Sequence, residues 1–464
     1  VPSSPLDSPR LRRILAAYTI NRLGTWFGFV ALSVAVFEQT HSTVAVAALL
    51  IAAQVLPAFV APAIVARIEA SDRRGELSGL YLFEGVATTA LAVLLWHFWL
   101  PAVLLLVALD GTAALAASSL LRAAAARTAR AQATTSAATG AEPQPPSEAD
   151  AQAAERRANA ALNIAFSATF MLGPAIAGVV VAAAGGPAAL FIDAASFLIC
   201  GALLTDLRPH VEEAEGASVR ARLLVAWRHI NDVPALRALL LAEAVALVFF
   251  EFSPPIEIAY AKVTLHAGDR GYGLLLAVWG VGVAVGSLIF ARSTRRPLGA
   301  MLSAGTLAVG LAYLGFAAAP SLTLACVAAL CGGIGNGVQW ASLISAVQRL
   351  TPPRLHGRLM GAVESLGALC PAIGLSLGGA LAALSSPRTA FLVAGLGATA
   401  MTVVFVRLSL SGLGPAAAPE IGIAATRGPA LPLREPAPLQ PGGPSRTESS
   451  RERPAAVHPA SRTP

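Results

Sequence analysis

Lysine is almost missing from this chain of 464 residues: Lys262 stands alone, and every other cationic side chain apart from histidine is an arginine. Charge of either sign is scarce. Charged residues make up 13% of the sequence and hydrophobic ones 55%, where a soluble domain averages about 25% charged. Mean hydropathy is +0.66, which excludes an ordinary hydrated globule and suits a chain whose solvent is largely lipid. The net charge of +7 does not gather on one soluble face, which argues against a nucleic-acid partner. Cysteine is rare as well. Cys200, Cys326, Cys331 and Cys370 all lie in apolar runs without metal-ligand spacing, so they read as small core residues and no metal site or cofactor is expected. There is no Ser/His/Asp set, HExxH or P-loop lysine motif, and His97, His266 and His356 fall at the ends of apolar runs, so the chain does not read as an enzyme or an ATP-driven pump. No cleavable signal peptide is apparent ahead of the first apolar run.

Long apolar runs are what the sequence does have. A membrane-crossing helix needs about 20 apolar residues, and twelve windows qualify: 14–37, 43–66, 77–98, 101–121, 161–184, 187–206, 236–260, 271–291, 298–318, 321–347, 358–384 and 388–410. Arginine placement tests this count, because cytoplasmic loops collect cations. Arg10, Arg12 and Arg13 precede the first window. Arg67, Arg73 and Arg74 follow the second, and Arg122, Arg127, Arg130, Arg156 and Arg157 follow the fourth. The same alternation continues through Arg208 to Arg228, Arg292 to Arg296 and Arg349 to Arg358, while the opposite loops hold only Lys262, Arg270 and Arg388. Both termini are therefore expected in the cytoplasm.

The two halves echo one another. LRRILA (11–16) is similar to LRALLL (236–241), 225 residues later, and LGPAIAG (172–178) to LCPAIGL (369–375), 197 later. The shorter second offset means that the first half carries extra residues, and segment 131–158, rich in Ala, Thr, Gln and Pro, is expected to be that insert, solvated and mostly disordered. Ser147 and Asp150 carry a capping pattern for a short helix behind it. The expected organisation is a cytoplasmic N-terminus (1–13), a six-helix bundle (14–206), a cytoplasmic connector (207–235), a second six-helix bundle (236–410) and a disordered cytoplasmic tail (411–464). Within the connector, SVRARLLVAWRHIND (218–232) mixes apolar residues with arginines, as an interfacial amphipathic helix or a soluble connector does.

Two matched six-helix halves with an amphipathic connector resemble the plan of a major facilitator superfamily transporter, an all-α membrane fold. GPAIAG (173–178) looks like the antiporter motif of helix 5, with Gly173 and Pro174 as its hinge pair. ARIEASDRR (66–74) and ARSTRR (291–296) look like the two copies of the family's loop signature. RRANAALN (156–163), GPAALFIDAASFL (186–198), YGLLLAVWGVGVAVGS (272–287) and QRLTPPRLHGRLMGA (348–362) resemble the branch of enterobactin exporters and macrolide-efflux proteins. That branch often has an acid after the helix 1 glycine, where this chain has Gly24-Thr25, and the helix 4 arginine of many antiporters is missing around Leu109-Asp110-Gly111. The resemblance implies a monomeric secondary transporter in a bacterial inner membrane, exporting a small amphipathic compound at the expense of a proton gradient. An importer or facilitator on the same fold, or a non-transporting sensor, remains the alternative.

A charge at a helix centre costs about 3 kcal/mol on insertion scales, so each needs a partner, a cavity or a proton. By depth along their windows, Glu84, Glu243, Glu364 and Asp193 are expected close enough to an end to reach an interface or local backbone, whereas Asp110 and Glu251 lie nearer the middle. Asp110 and Glu251 are the candidate proton carriers, and each equally suits a structural acid hydrogen-bonded between helices. Arg22 and Asp110 share a depth, which suits an ion pair, unless Arg22 snorkels along its own helix. Asn21, Arg22, Gln339, Trp340 and Glu364 are candidate substrate-cavity residues; Trp340 equally suits a lipid-facing position. In FFEFSPPIEIAY (249–260), Pro254 and Pro255 lack N–H groups, so carbonyls near Phe250 and Glu251 lose helical partners. A broken helix beside a hydrated cavity is expected there, with the prolines as hinge and Glu257 as an outer gate or packing contact. The glycine sets 280/282/286 and 332/333/335/337 suit close helix packing.

Overall fold

A computed structural model of the chain describes residues 8–71, 75–138, 148–207, 227–293, 296–352 and 356–411, without the side chains at 69–71, 134–138, 148–149, 163, 167, 356–369 and 411. Every regular element among them is a helix. The chain opens with α1 (Pro9–Thr40), where Ser8 Oγ accepts the Leu11 N–H at 3.2 Å and Pro9 takes a first-turn position that needs no donor. Then come α2 (Thr43–Leu50), a π-helical turn (Ile51–Val55) and α3 (Leu56–Ser71). Pro57 cannot supply the N–H that Ala53 would use, and the Leu56 N–H reaches back to the Ile51 carbonyl instead, which widens the helix at this point.

Helices α4 (Glu76–Leu94), α5 (Leu100–Ala138) and α6 (Glu148–Leu203) complete the first half. Helix α6 folds back on itself at Gly185, where φ 83° and ψ 167° suit glycine alone. Its two limbs run in opposite directions along α1. Phe166 lies under Arg22 and Gly173 against Trp26 on the way out, while Asp193 lies against Gly28, Ser196 against Gly24, and Cys200 Sγ donates to the Ala17 carbonyl at 3.2 Å on the way back. The expected windows 161–184 and 187–206 are these two limbs.

The second half contains α7 (Pro234–Phe250), α8 (Ser253–Ala259) with a π turn (Tyr260–Thr264), α9 (Gly268–Arg292), α10 (Leu298–Ala318), α11 (Leu322–Arg349), α12 (His356–Leu384) and α13 (Pro387–Ser411). Nine helices among the described residues are long and apolar enough to cross a membrane, α6 counted once. Large apolar side chains stand exposed around the outside, among them Leu105, Ile164, Leu241 and Leu311, as in a protein surrounded by lipid rather than water. The glycines of α9 and α11 do pack as expected: a Cβ on Gly282 would lie 2.8 Å from the Gly333 Cα.

The insert is not mostly disordered. Helix α5 runs on to Ala138 and α6 begins at Glu148, and Arg130 and Glu155 pair across them at 3.1 Å. Alanine is the strongest helix former and outweighs the threonines and glutamines of this segment; Ala129, Ala151 and Ala158 are buried. Residues 139–147, with the capping residue Ser147, lie outside the described residues, as do 208–226 of the connector and 412–464 of the tail. Cys331 is exposed, contrary to its core reading, while Cys200 and Cys370 are buried.

The halves meet at the end of the bundle away from the N-terminus. Thr43 Oγ1 donates to the Gly379 carbonyl at 2.6 Å, and Gly178 and Gly273 pack so closely that a Cβ on either would lie 2.7 Å from the other's Cα. Lys262 pairs there with Glu38 of α1 and, at 2.6 Å, with Asp269 of α9.

Candidate functional site: a polar cavity in the first half

A cavity of about 550 Å³ opens among α1, the α2–α3 π turn, α4, α5 and the returning limb of α6, with Pro371 of α12 closing one side. Its walls are mostly apolar, with Trp26, Phe29 and Phe197 as the aromatic members. Asn21, Arg22, Gln54, Thr88, Asp110 and Asp193 are the polar groups that argue for a site. The π turn contributes Ala53 and Gln54 to the lining, and such widened turns often mark functional positions.

The expected Arg22–Asp110 ion pair does not form, although both residues line the cavity. Asp110 Oδ1 accepts a hydrogen bond from Thr88 Oγ1 at 3.2 Å. The Arg22 guanidinium instead lies over the Phe166 ring, 4.9 Å from its centre, and its Nε has no hydrogen-bond partner. A ring face attracts a guanidinium strongly where water is excluded, which also removes the reading in which Arg22 snorkels away. Trp26 packs edge-on against Phe29 and Phe170, and Gly173 is the flat seat beneath it. Gly173 therefore shapes a cavity wall, beside Pro174 inside α6.

Asp193 lies at the level of Gly28, two turns inside its limb, rather than reaching an interface. A Cβ on Gly28 would sit 2.5 Å from Asp193 Oδ2, and one on Gly24 would sit 2.6 Å from Oδ1. Ser196 Oγ donates to Oδ1 at 3.5 Å. Asp193, Glu84 and Glu243 are 4%, 0% and 2% exposed. Depth along a helix says nothing about the face a residue occupies, and all three face inward. Asp193, Trp26, Gln54 and Thr88 were missed as site residues. The Gly24-x3-Gly28 spacing, which lets another helix approach α1 closely, was the available signal for Asp193.

The second-half candidates lie elsewhere. Gln339 is buried and donates through Nε2 to both oxygens of Glu243, at 3.0 and 3.1 Å, a structural pair outside this cavity. Trp340 is exposed, which is the lipid-facing alternative. The Glu364 side chain is outside the described residues. Glu251 occupies the turn between α7 and α8, its Cβ beside Gly374 of α12, and does not line the cavity. The helix does break at the expected place, but no hydrated cavity is needed to serve the freed carbonyl. Pro254 denies Phe250 its partner, and Tyr313 Oη donates to the Phe250 carbonyl at 3.0 Å. Pro255 is buried in α8 beside it, and Glu257 accepts from Ser253 Oγ at 2.5 Å, a packing contact. Pro320 leaves the Phe316 carbonyl in the same position, and Tyr260 Oη serves it at 2.7 Å.

The sequence model of the Major Facilitator Superfamily matches residues 246–441. The uncharacterised MFS-type transporter YfiS of Bacillus subtilis (strain 168) is 26% identical over 240 residues, 48% of this chain and 57% of that protein. The multidrug efflux pump Tap of Mycolicibacterium fortuitum is 25% identical over 260 residues, 54% of this chain and 63% of that protein. The chain thus spans about six tenths of the length of these relatives. Among solved structures, the nucleoside transporter NupG superposes with a TM-score of 0.68 at 11% identity, over 86% of this chain and 99% of that one. A bacterial homologue of the human lysosomal transporter Spinster, inward-facing, superposes with a TM-score of 0.60 at 14% identity, over 87% and 96%. The fold is that of the multi-pass facilitator-type membrane proteins. In sequence over residues 246–441 and in fold over most of its length, this chain is similar to the major facilitator superfamily.

Proposed function

We propose that the chain is a secondary active transporter that exports a small amphipathic organic compound across a bacterial plasma membrane in exchange for protons, as a monomer with twelve crossings and both termini in the cytoplasm. The cavity carries the reading. About 550 Å³ of apolar, aromatic-walled space with Asp110, Asp193 and Arg22 in its wall suits a compound with an aromatic body and a polar or charged head. The contacts between the halves at the end away from the N-terminus support alternating access: with that end outward, this arrangement is closed outside and gives the cavity to the cytoplasm. Asp110 is the proposed coupling carboxyl, because it lines the cavity and Glu251 does not. Export rather than import is supported by the likeness to Tap and by the Gly173-Pro174 motif.

Inverted membrane vesicles with an imposed proton gradient and a pH-sensitive dye test this. On adding dyes, macrolides and siderophore-like compounds one at a time, a transported compound dissipates the gradient, and Asp110→Asn abolishes the response while Trp26→Ala weakens binding. Accumulation of a compound without proton movement would replace antiport with facilitated uptake, the reading suited to the likeness with NupG.

A further inference from the structure

Glu84 has no place in the reading so far, yet it is the most enclosed acid in the first half. Its side chain is 0% exposed, and neither Oε1 nor Oε2 has a hydrogen-bond partner. It does not line the cavity, but Thr88, one helical turn further along α4, does, and Thr88 holds Asp110. The groups that face Glu84 electrostatically are Asp110 of α5, Asp193 and Cys200 of α6, and Tyr81 of α4. None of them is a cation. Arg22 is turned to Phe166, and Arg122 donates to Tyr18 Oη at 2.8 Å. The Tyr81 hydroxyl is itself buried and unpartnered. A membrane-buried acid needs a partner, a cavity or a proton, and the structure offers Glu84 neither of the first two.

From this enclosure we infer that Glu84 is a proton-binding site behind the cavity wall, carrying a proton in the arrangement described and releasing it when α4 and α5 shift to bring water or a partner to it. The released proton leaves as the Glu84 O–H bond breaks and is taken up by water or by the Asp110 carboxylate, so no other reactant is required. Thr88 is the link by which occupation of the cavity is felt at Glu84. This part rests on the proton-coupled reading above; the protonation itself does not.

Infrared spectroscopy of the full chain in lipid vesicles, with no substrate added, tests the inference. Wild type minus Glu84→Gln at neutral pH is expected to show the carbonyl stretch of a protonated carboxylic acid, shifted in D2O. The Gln variant is expected to melt at the wild-type temperature, since an amide replaces a neutral acid of the same shape. A difference spectrum with carboxylate bands and no acid carbonyl overturns the inference. If Glu84→Gln fails to accumulate, Glu84→Asp serves: a shifted acid carbonyl supports the inference and an unshifted one refutes it. The vesicle dye assay separates the two proposals. An acid band at Glu84 with no compound moving protons leaves the site standing and removes the coupling, whereas proton antiport unaffected by Glu84→Gln removes Glu84 from the pathway.

Discussion

Tyr313→Phe removes one oxygen from a ring that is 2% exposed. Its stacking partner Trp279 and its neighbours Phe316 and Phe391 are left in place. What is lost is the donor to the Phe250 carbonyl. Hydrogen bonds between helices in membranes average about 0.6 kcal/mol, because the unpaired groups usually find other partners. Here the natural alternative is closed, since the residue four positions on is Pro254. The cost should approach that of a buried unsatisfied group, about 1–3 kcal/mol, or roughly a 5- to 150-fold shift in the folding equilibrium constant. Equilibrium unfolding in mixed micelles measures it. The decisive experiment is the cycle with Pro254→Ala. An alanine restores an N–H within reach of Phe250, so Tyr313→Phe should cost at least about 1 kcal/mol less in that background. A Tyr313→Phe effect below about 0.5 kcal/mol, or the same cost in both backgrounds, would refute the argument that this hydroxyl replaces the proline's missing donor.

Gly28→Ala drives a methyl into the Asp193 carboxylate and should lower stability by about 1–3 kcal/mol; Asp193→Ala made with it should recover part of the loss, as read by thermal melting. Lys262→Met frees Glu38 and Asp269 and should weaken closure at that end, seen as faster labelling of a cysteine placed at Gly379. Arg13 donates to Asp206 at 2.6 Å and holds that carboxyl below its usual range. A lowered native value stabilises above the unfolded pKa, near 3.9, and the contribution is lost as pH falls through the native one. Both side chains are about half exposed, so Asp206→Asn should cost only about 0–1 kcal/mol at pH 7, with wild type and variant converging in acid-induced unfolding curves.

Much of the architecture was legible before any coordinates, because the signals are local. Hydrophobic run length marks a crossing, and Gly185-Gly186-Pro187 marks the return between two limbs that the windows already separated at 184 and 187. Pro254 announced the break in α7 because a missing N–H acts on the carbonyl four residues back. The same local reasoning failed where a weak preference had to be summed, as in the alanine-rich ends of the insert, which continue α5 and α6.

The site was less legible. Asn21, Arg22 and Asp110 were singled out by type and depth, and all three do line one cavity. Depth along a helix, however, carries no information about azimuth or about neighbours distant in sequence. Arg22 and Asp110 share a level yet bind Phe166 and Thr88, residues 144 positions after the first and 22 before the second. Asp193 and Glu84 looked peripheral and proved enclosed, because α1, α4, α5 and α6 wrap around them. Tyr313 and Tyr260 carried no mark of their role until α10 had packed against the segment broken at Pro254, where each ring serves a carbonyl of the other element. The sequence alone thus determined which stretches are long and apolar enough to cross a membrane and where the backbone must break, since both depend on the residues of a single segment. Only the tertiary structure decided which charges share a cavity, which are sealed without partners and which hydroxyl replaces a lost donor, since each of these is a relation between segments that meet only when packed.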